Sequence, residues 1–172
     1  LYQQRYPAHA SRMHLLENGY DEETFSSSTG GEPLNPARLT LLHSGIVYPS
    51  ERDPRALFSA LAQLKQTSPS IYGQLKLRFR APVHDALLND LAKQNDVQDA
   101  IEILPPVGYR EALAEMLRAD GLLILQASNC NAQIPAKLYE YMRATRPILI
   151  LSDPFGDTVT DVRRPSAEPL PG

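Results

Sequence analysis

Cysteine is nearly missing from this chain: Cys130 stands alone among 172 residues, so no internal disulfide can form, and a reducing compartment is the natural setting. Tryptophan is absent. Positive charge is not in excess either, since 17 Lys and Arg against 20 Asp and Glu leave a net charge of −3. That balance excludes the broad basic face of a nucleic-acid-binding protein and makes any phosphate binding a local affair. No apolar run approaches the roughly 20 residues that span a bilayer, so no transmembrane segment is expected. No signal-peptide pattern is visible, and the chain starts at Leu1 rather than methionine; it reads as a cytoplasmic fragment. His9, His14, His43 and His84 lack metal-ligand spacing, and no Ser/His/Asp arrangement suggests a nucleophile, so no metal site is expected. His43 is set apart from the others because it ends a strand.

What is present is a regular alternation. With 42% hydrophobic residues the chain can bury one sizeable core. Residues 1–37 read as a leading segment and linker, with a short helical or strand-like piece at Met13 to Leu16 and small polar residues from Ser26 to Pro33. From residue 38 to 152, apolar strands at 39–43, 75–79, 100–104, 122–125 and 147–151 alternate with four helical patterns. The helices open at Pro54, carry Val83, Leu87, Leu88 and Leu91, span 109–117 with Gly121 as a stop, and cover 135–145. Such a series makes an α/β, Rossmann-like, doubly wound parallel sheet. Residues 153–172 are proline-rich and poor in apolar content, and read as loop or disorder, with the closing helices of such a sheet not evident.

Three segments can carry chemistry. In Ser44-Gly45, after the first strand, a glycine lets the backbone approach a ligand and leaves amides for an anion, while Arg52 offers a phosphate-binding fork. The bland alternative is a turn glycine and a solvated arginine. In the second, Pro135 suits the first helical position, the helix start favours an anion, and Lys137 and Glu140 share a face. Lys137 could neutralise a phosphate and Glu140 accept hydrogen bonds from ribose hydroxyls; a surface charge pair is the alternative. In the third, Pro105-Pro106-Val107-Gly108-Tyr109 forms a stiff apolar ledge against which a flat base could pack, or simply a rigid connection.

Taken together, Asn18-Gly19-Tyr20-Asp21 with Phe25, Leu42-His43-Ser44-Gly45, Arg52-Asp53-Pro54, Ile103 to Tyr109, Ala119-Asp120-Gly121-Leu122 and Pro135 to Pro147 resemble, in order and spacing, the donor-binding C-terminal half of a GT-B glycosyltransferase of the retaining group 1 family, which contains glycogen synthases and bacterial mannosyltransferases. The resemblance implies transfer of a sugar from a UDP- or GDP-sugar to a saccharide or lipid-linked acceptor, without a cofactor or metal. It implies that Ser44 and Gly45 with Arg52 and Lys137 hold the diphosphate, that Pro106, Val107 and Tyr109 meet the base, and that Pro135, Lys137 and Glu140 complete the donor site. It further implies an N-terminal acceptor domain elsewhere in the polypeptide, through which any peripheral membrane association would run. Two positions depart from the family: Ile46 stands where an arginine is common, and Ala132 where the first glutamate of a pair falls. Those departures keep open a second function, a non-catalytic nucleotide-binding or protein-interaction module of the same fold.

Overall fold

A computed structural model describes residues 2–14, 16 and 18–162. Five strands form one sheet: β1 (Leu39–Ser44), β2 (Leu75–Arg80), β3 (Ile101–Leu104), β4 (Gly121–Leu125) and β5 (Ile148–Leu151). All pairings are parallel and the spatial order is β3-β2-β1-β4-β5. The order reverses between β1 and β4, and the crevice beyond their carboxyl ends is where open α/β sheets bind ligands.

The helices are α1 (Tyr2–Arg5), α2 (Glu22–Ser26), α3 (Arg55–Thr67), α4 (Pro69–Tyr72), α5 (Asp85–Gln94), α6 (Tyr109–Arg118), α7 (Lys137–Arg143) and α8 (Asp157–Val162). β4 is buried at every position, as a run of Leu-Leu-Ile-Leu covered on both faces should be. One face packs Leu77, Phe79 and Leu123 against Phe58 and Leu61 of α3 and Leu88 and Leu91 of α5. The other packs Leu42, Leu122 and Ile124 against Leu113 and Met116 of α6 and Leu138 and Tyr141 of α7.

Several boundaries differ from the sequence reading, each for a local reason. Val83 lies outside α5: it is exposed, with φ of 68°, and Ala81 is also left-handed at 54°. Gly121 does not stop a helix; α6 ends at Arg118, and Gly121 begins β4, where a Cβ would lie 2.7 Å from a Leu41 methyl. Pro135 precedes the Ala136 cap rather than starting the helix, because α7 begins at Lys137. Before residue 38 the chain is not only linker: Asp21 caps α2 through the Thr24 amide, and Phe25 enters the core. Met13, His14 and Leu16 lie outside helix and strand, while Leu15 falls outside the described residues. In the tail expected to be loop, Asp157–Val162 is helical, its buried Thr158 donating to the Gln126 side chain; residues 163–172 lie outside the described residues.

Candidate functional site

β1 delivers His43 and Ser44 to the switch point. His43 is fully buried, and its Nδ1 lies 2.9 Å from the Leu123 carbonyl oxygen. A carbonyl can only accept, so the ring proton sits on Nδ1 and Nε2 is left as an acceptor. Burial pushes the His43 pKa well below the usual range, and the Lys137 charge pushes the same way, so the ring is neutral. Lys137 Nζ sits 3.2 Å from His43 Nε2 and donates to the Ser44 carbonyl at 2.7 Å. These partners are uncharged, and among the described residues no carboxylate pairs with Lys137. Desolvation pulls its pKa down to about 7, with Arg52 adding to the effect and Glu140 opposing it.

Gly45 makes room for this amine. Its φ is +110°, and a Cβ there would lie 3.2 Å from Lys137 Nζ. The lysine end is flexible, so backbone strain dominates the cost of a side chain. Gly45→Ala is expected to lower unfolding stability by about 1–3 kcal/mol; chemical denaturation checks this, and an unchanged midpoint contradicts it.

The loop supplies fewer free amides than the sequence suggests. The Ser44 amide donates to the Tyr141 hydroxyl at 2.9 Å, the Gly45 amide to the Arg80 carbonyl at 2.8 Å, and the Val47 amide to the Pro82 carbonyl at 3.0 Å. That leaves the Ile46 amide as the one amide from 44 to 47 without a partner among the described residues. Tyr141 itself is fully buried.

Arg52 is tethered beside them, donating Nη1 to the Ile46 carbonyl at 2.8 Å, with its guanidinium 5.3 Å from the Tyr48 ring centre. Its remaining guanidinium N–H groups have no partner among the described residues. Arg52, Glu51, Gln126, Gln133 and Pro135 line a cavity of about 40 Å³ between the β1–α3 loop and the segment before α7. The two walls are joined by the Ala127 amide donating to the Glu51 carbonyl at 2.8 Å.

Glu140 faces the third segment. The Tyr109 hydroxyl donates to Glu140 Oε1 at 2.8 Å, and burial together with that bond pushes the tyrosine pKa up to about 12. Lys137 and Glu140 therefore lie on one helix but reach different loops. Val107 and Pro106 precede Tyr109, and the Val107 amide and carbonyl have no partner among the described residues. Ala132 is exposed, and the side-chain amide of neighbouring Asn131 donates to Asp153 at 2.9 Å.

Ser44, Gly45, Arg52, Pro135 and Lys137 thus gather around the ends of β1 and β4, and Glu140 joins Tyr109 on the adjacent loop. Sequence reading missed Tyr141, although its place one turn after Lys137 puts both on one side of α7. It also missed Arg80, whose role depends on long-range contacts.

No protein-family model matches the chain, and no curated protein matches it by sequence. Solved structures do match. The chain has the α/β Rossmann-like fold of a domain of GT-B glycosyltransferases. The apo structure of OtsA covers 84% of it at 14% identity with a TM-score of 0.62, using 37% of its own length. A Burkholderia xenovorans UDP-forming α,α-trehalose-phosphate synthase in complex with glucose-6-phosphate covers 83% at 11% identity, with a TM-score of 0.58 and 33% of its own length. The pneumococcal O-GlcNAc transferase GtfA, in complex with UDP and GlcNAc, covers 76% at 13% identity, with a TM-score of 0.51. The chain spans well under half the length of each, 37%, 33% and 24% in turn. Among the described residues no helix is long and apolar enough to cross a membrane.

Proposed function

We propose that the chain is the donor-binding domain of a retaining glycosyltransferase that transfers a sugar from a UDP- or GDP-sugar to a saccharide or lipid-linked acceptor. The observation that carries the reading is Lys137: a desolvated amine at the switch point with two neutral partners and, among the described residues, no paired carboxylate, one turn before a glutamate facing the 105–109 loop. A diphosphate supplies the missing anion, a ribose diol fits the carboxylate of Glu140, and the free main chain of Val107 suits a base edge. Two neighbours of the same fold have UDP or a UDP-sugar bound. The acceptor site belongs to the part of the polypeptide beyond this domain, so the domain alone binds nucleotide without turnover. Cytoplasmic synthesis of a bacterial polysaccharide is the setting that fits this chemistry.

The barrier to transfer is departure of the nucleoside diphosphate, so catalysis rests on stabilising its growing negative charge. Lys137 and Arg52 carry that task, with the Ile46 amide beside them. The whole polypeptide, incubated with UDP- and GDP-sugars and an acceptor saccharide, should form a glycoside on the acceptor with the donor's anomeric configuration retained and release the nucleoside diphosphate. Arg52→Ala should lower its turnover number more than it raises the acceptor KM; an unchanged turnover number removes Arg52 from the mechanism. Ile46 and the exposed Ala132 favour a second reading, a nucleotide-binding module without transfer, which nucleotide binding with no product would support.

The depressed Lys137 pKa makes binding pH-dependent. The free site is protonated below about pH 7 and loses its proton above it, while a bound diphosphate raises the pKa. Binding therefore takes up a proton, and affinity falls with rising pH, by at most about tenfold per unit. UDP affinity measured from about pH 7.5 to 9.5, above the second phosphate ionisation near 6, should show that slope, and Lys137→Arg should flatten it. A flat wild-type profile contradicts the assignment.

A further inference from the structure

We propose that Arg80, at the end of β2, is the positioning residue that sets the base-binding loop of the nucleotide site; the proposal deepens the donor-domain reading and rests on it for the identity of the ligand. The Arg80 guanidinium makes a two-pronged contact with Glu115 of α6, Nε to Oε2 at 2.8 Å and Nη2 to Oε1 at 2.7 Å, and Nη1 donates to the Pro105 carbonyl at 2.7 Å. Among the described residues, that last bond is the only hydrogen bond made by the main chain of residues 105–107. Leu104 is held before it, by the Ala81 amide at 2.9 Å, and Gly108 after it, as acceptor for the Ala112 amide at 2.9 Å. Between Leu104 and Gly108, the exposed Pro105-Pro106 ledge and the unpartnered main chain of Val107 thus have one charged side chain as their anchor, with Tyr109 held separately by Glu140. Pro105 and Pro106 have no amide hydrogen, so neither can add a donated bond of its own.

The same residue braces the phosphate side through its main chain. The Arg80 carbonyl accepts from the Gly45 amide, and two residues on, the Pro82 carbonyl accepts from Val47. Pro82 lies between Ala81 and Val83, both with left-handed backbone, φ 54° and 68°. Such strain persists only where the surroundings over-determine it. A side-chain substitution at 80 leaves the main-chain bond to Gly45 in place, which separates the two halves of the site.

Glu115 is not stripped of its partners by the change. Glu115 is buried, and burial works to raise its pKa, but hydrogen bonds from Arg80 and Arg78 overcome that and hold it below the usual range. Arg78 Nη1 also donates to Glu115 Oε1 at 2.9 Å while its Nε holds Glu102 at 2.6 Å, so without Arg80 the buried Glu115 keeps one cationic partner, shared with Glu102.

The test uses Arg80→Met and Arg80→Lys in the 172-residue chain, with UDP and inorganic pyrophosphate as probes. Arg80→Met should weaken UDP binding about tenfold while pyrophosphate affinity stays within about twofold, the loss of one charge-assisted hydrogen bond acting through the base. Arg80→Lys restores the pairing with Glu115 and the thermal midpoint, but not the fork that reaches Pro105, so UDP binding stays weak. Equal losses for both ligands, or none for UDP, overturn the proposal. An arm without ligand decides it independently: backbone relaxation should show the Val107 and Gly108 amides becoming mobile in Arg80→Met while Gly45 and Ile46 do not. Unchanged Val107 and Gly108 amides overturn the role of Arg80, whereas a wild-type chain that binds no nucleotide overturns the donor-domain reading alone.

Discussion

Lys137→Met is expected to weaken UDP binding about a hundredfold, the upper range for a hydrogen bond to a charged group at about 3 kcal/mol, without destabilising the fold. The two expectations have one cause. In the free protein the ammonium is desolvated and, among the described residues, hydrogen-bonds only the Ser44 carbonyl and the neutral His43 ring, so its charged form is disfavoured and its pKa falls to about 7. The unfolded chain keeps an ordinary lysine, binds more protons between about pH 7 and the ordinary value near 10.4, and so gains on the folded state as pH falls through that window. The wild-type fold is therefore penalised at neutral pH and relieved as pH rises toward the unfolded value. Methionine has similar length and no charge, so the penalty disappears while the diphosphate loses its cation. Calorimetry for binding and chemical denaturation at pH 6 for stability check the pair. Unchanged binding excludes Lys137 as a diphosphate ligand, and loss of both stability and binding makes it a structural residue.

Glu140→Gln is the second large expected effect. Ribose offers two adjacent hydroxyls, and a carboxylate can accept from both; glutamine keeps one acceptor oxygen and turns the other into a donor. In the free protein Glu140 already accepts from the Tyr109 hydroxyl, a bond that glutamine can preserve, so the helix and the 105–109 loop stay in place. The expected loss is about 1–3 kcal/mol of nucleotide binding, the range for hydrogen bonds to charged groups. It should vanish for a 2′,3′-dideoxynucleotide, which has no diol to lose. Equal losses for the ribo- and dideoxy forms assign Glu140 to loop placement rather than ribose binding.

The layout of the domain was legible because its strands are short apolar runs and its helices carry one apolar stripe. β4 stood out as Leu122 to Leu125 without interruption, and it is the fully buried strand beside the switch point. Boundaries were less legible where the backbone departs from its regular form. Val83 looks helical by spacing and is left-handed, and Gly121 looks like a helix stop but is a close strand contact. The tail helix Asp157–Val162 has little apolar character of its own and is tied down by Thr158 on Gln126, a contact between distant segments.

At the candidate site, the sequence singled out residues but could not show their partners. Spacing put Lys137 and Glu140 on one helix face, yet only the fold sends one to Ser44 and the other to Tyr109. The glycine loop looked like a row of free amides, and strand register and Tyr141 take up three of the four from Ser44 to Val47. Arg80 was illegible because a charged residue in a strand is ordinarily solvated, and its partners Pro105 and Glu115 are 25 and 35 residues away.

The most direct test is calorimetric titration of the 172-residue chain with UDP, GDP and ADP at pH 7. The account predicts one site per chain that prefers one of these nucleotides and is lost in Lys137→Met; no binding of any of the three at millimolar concentration would contradict it.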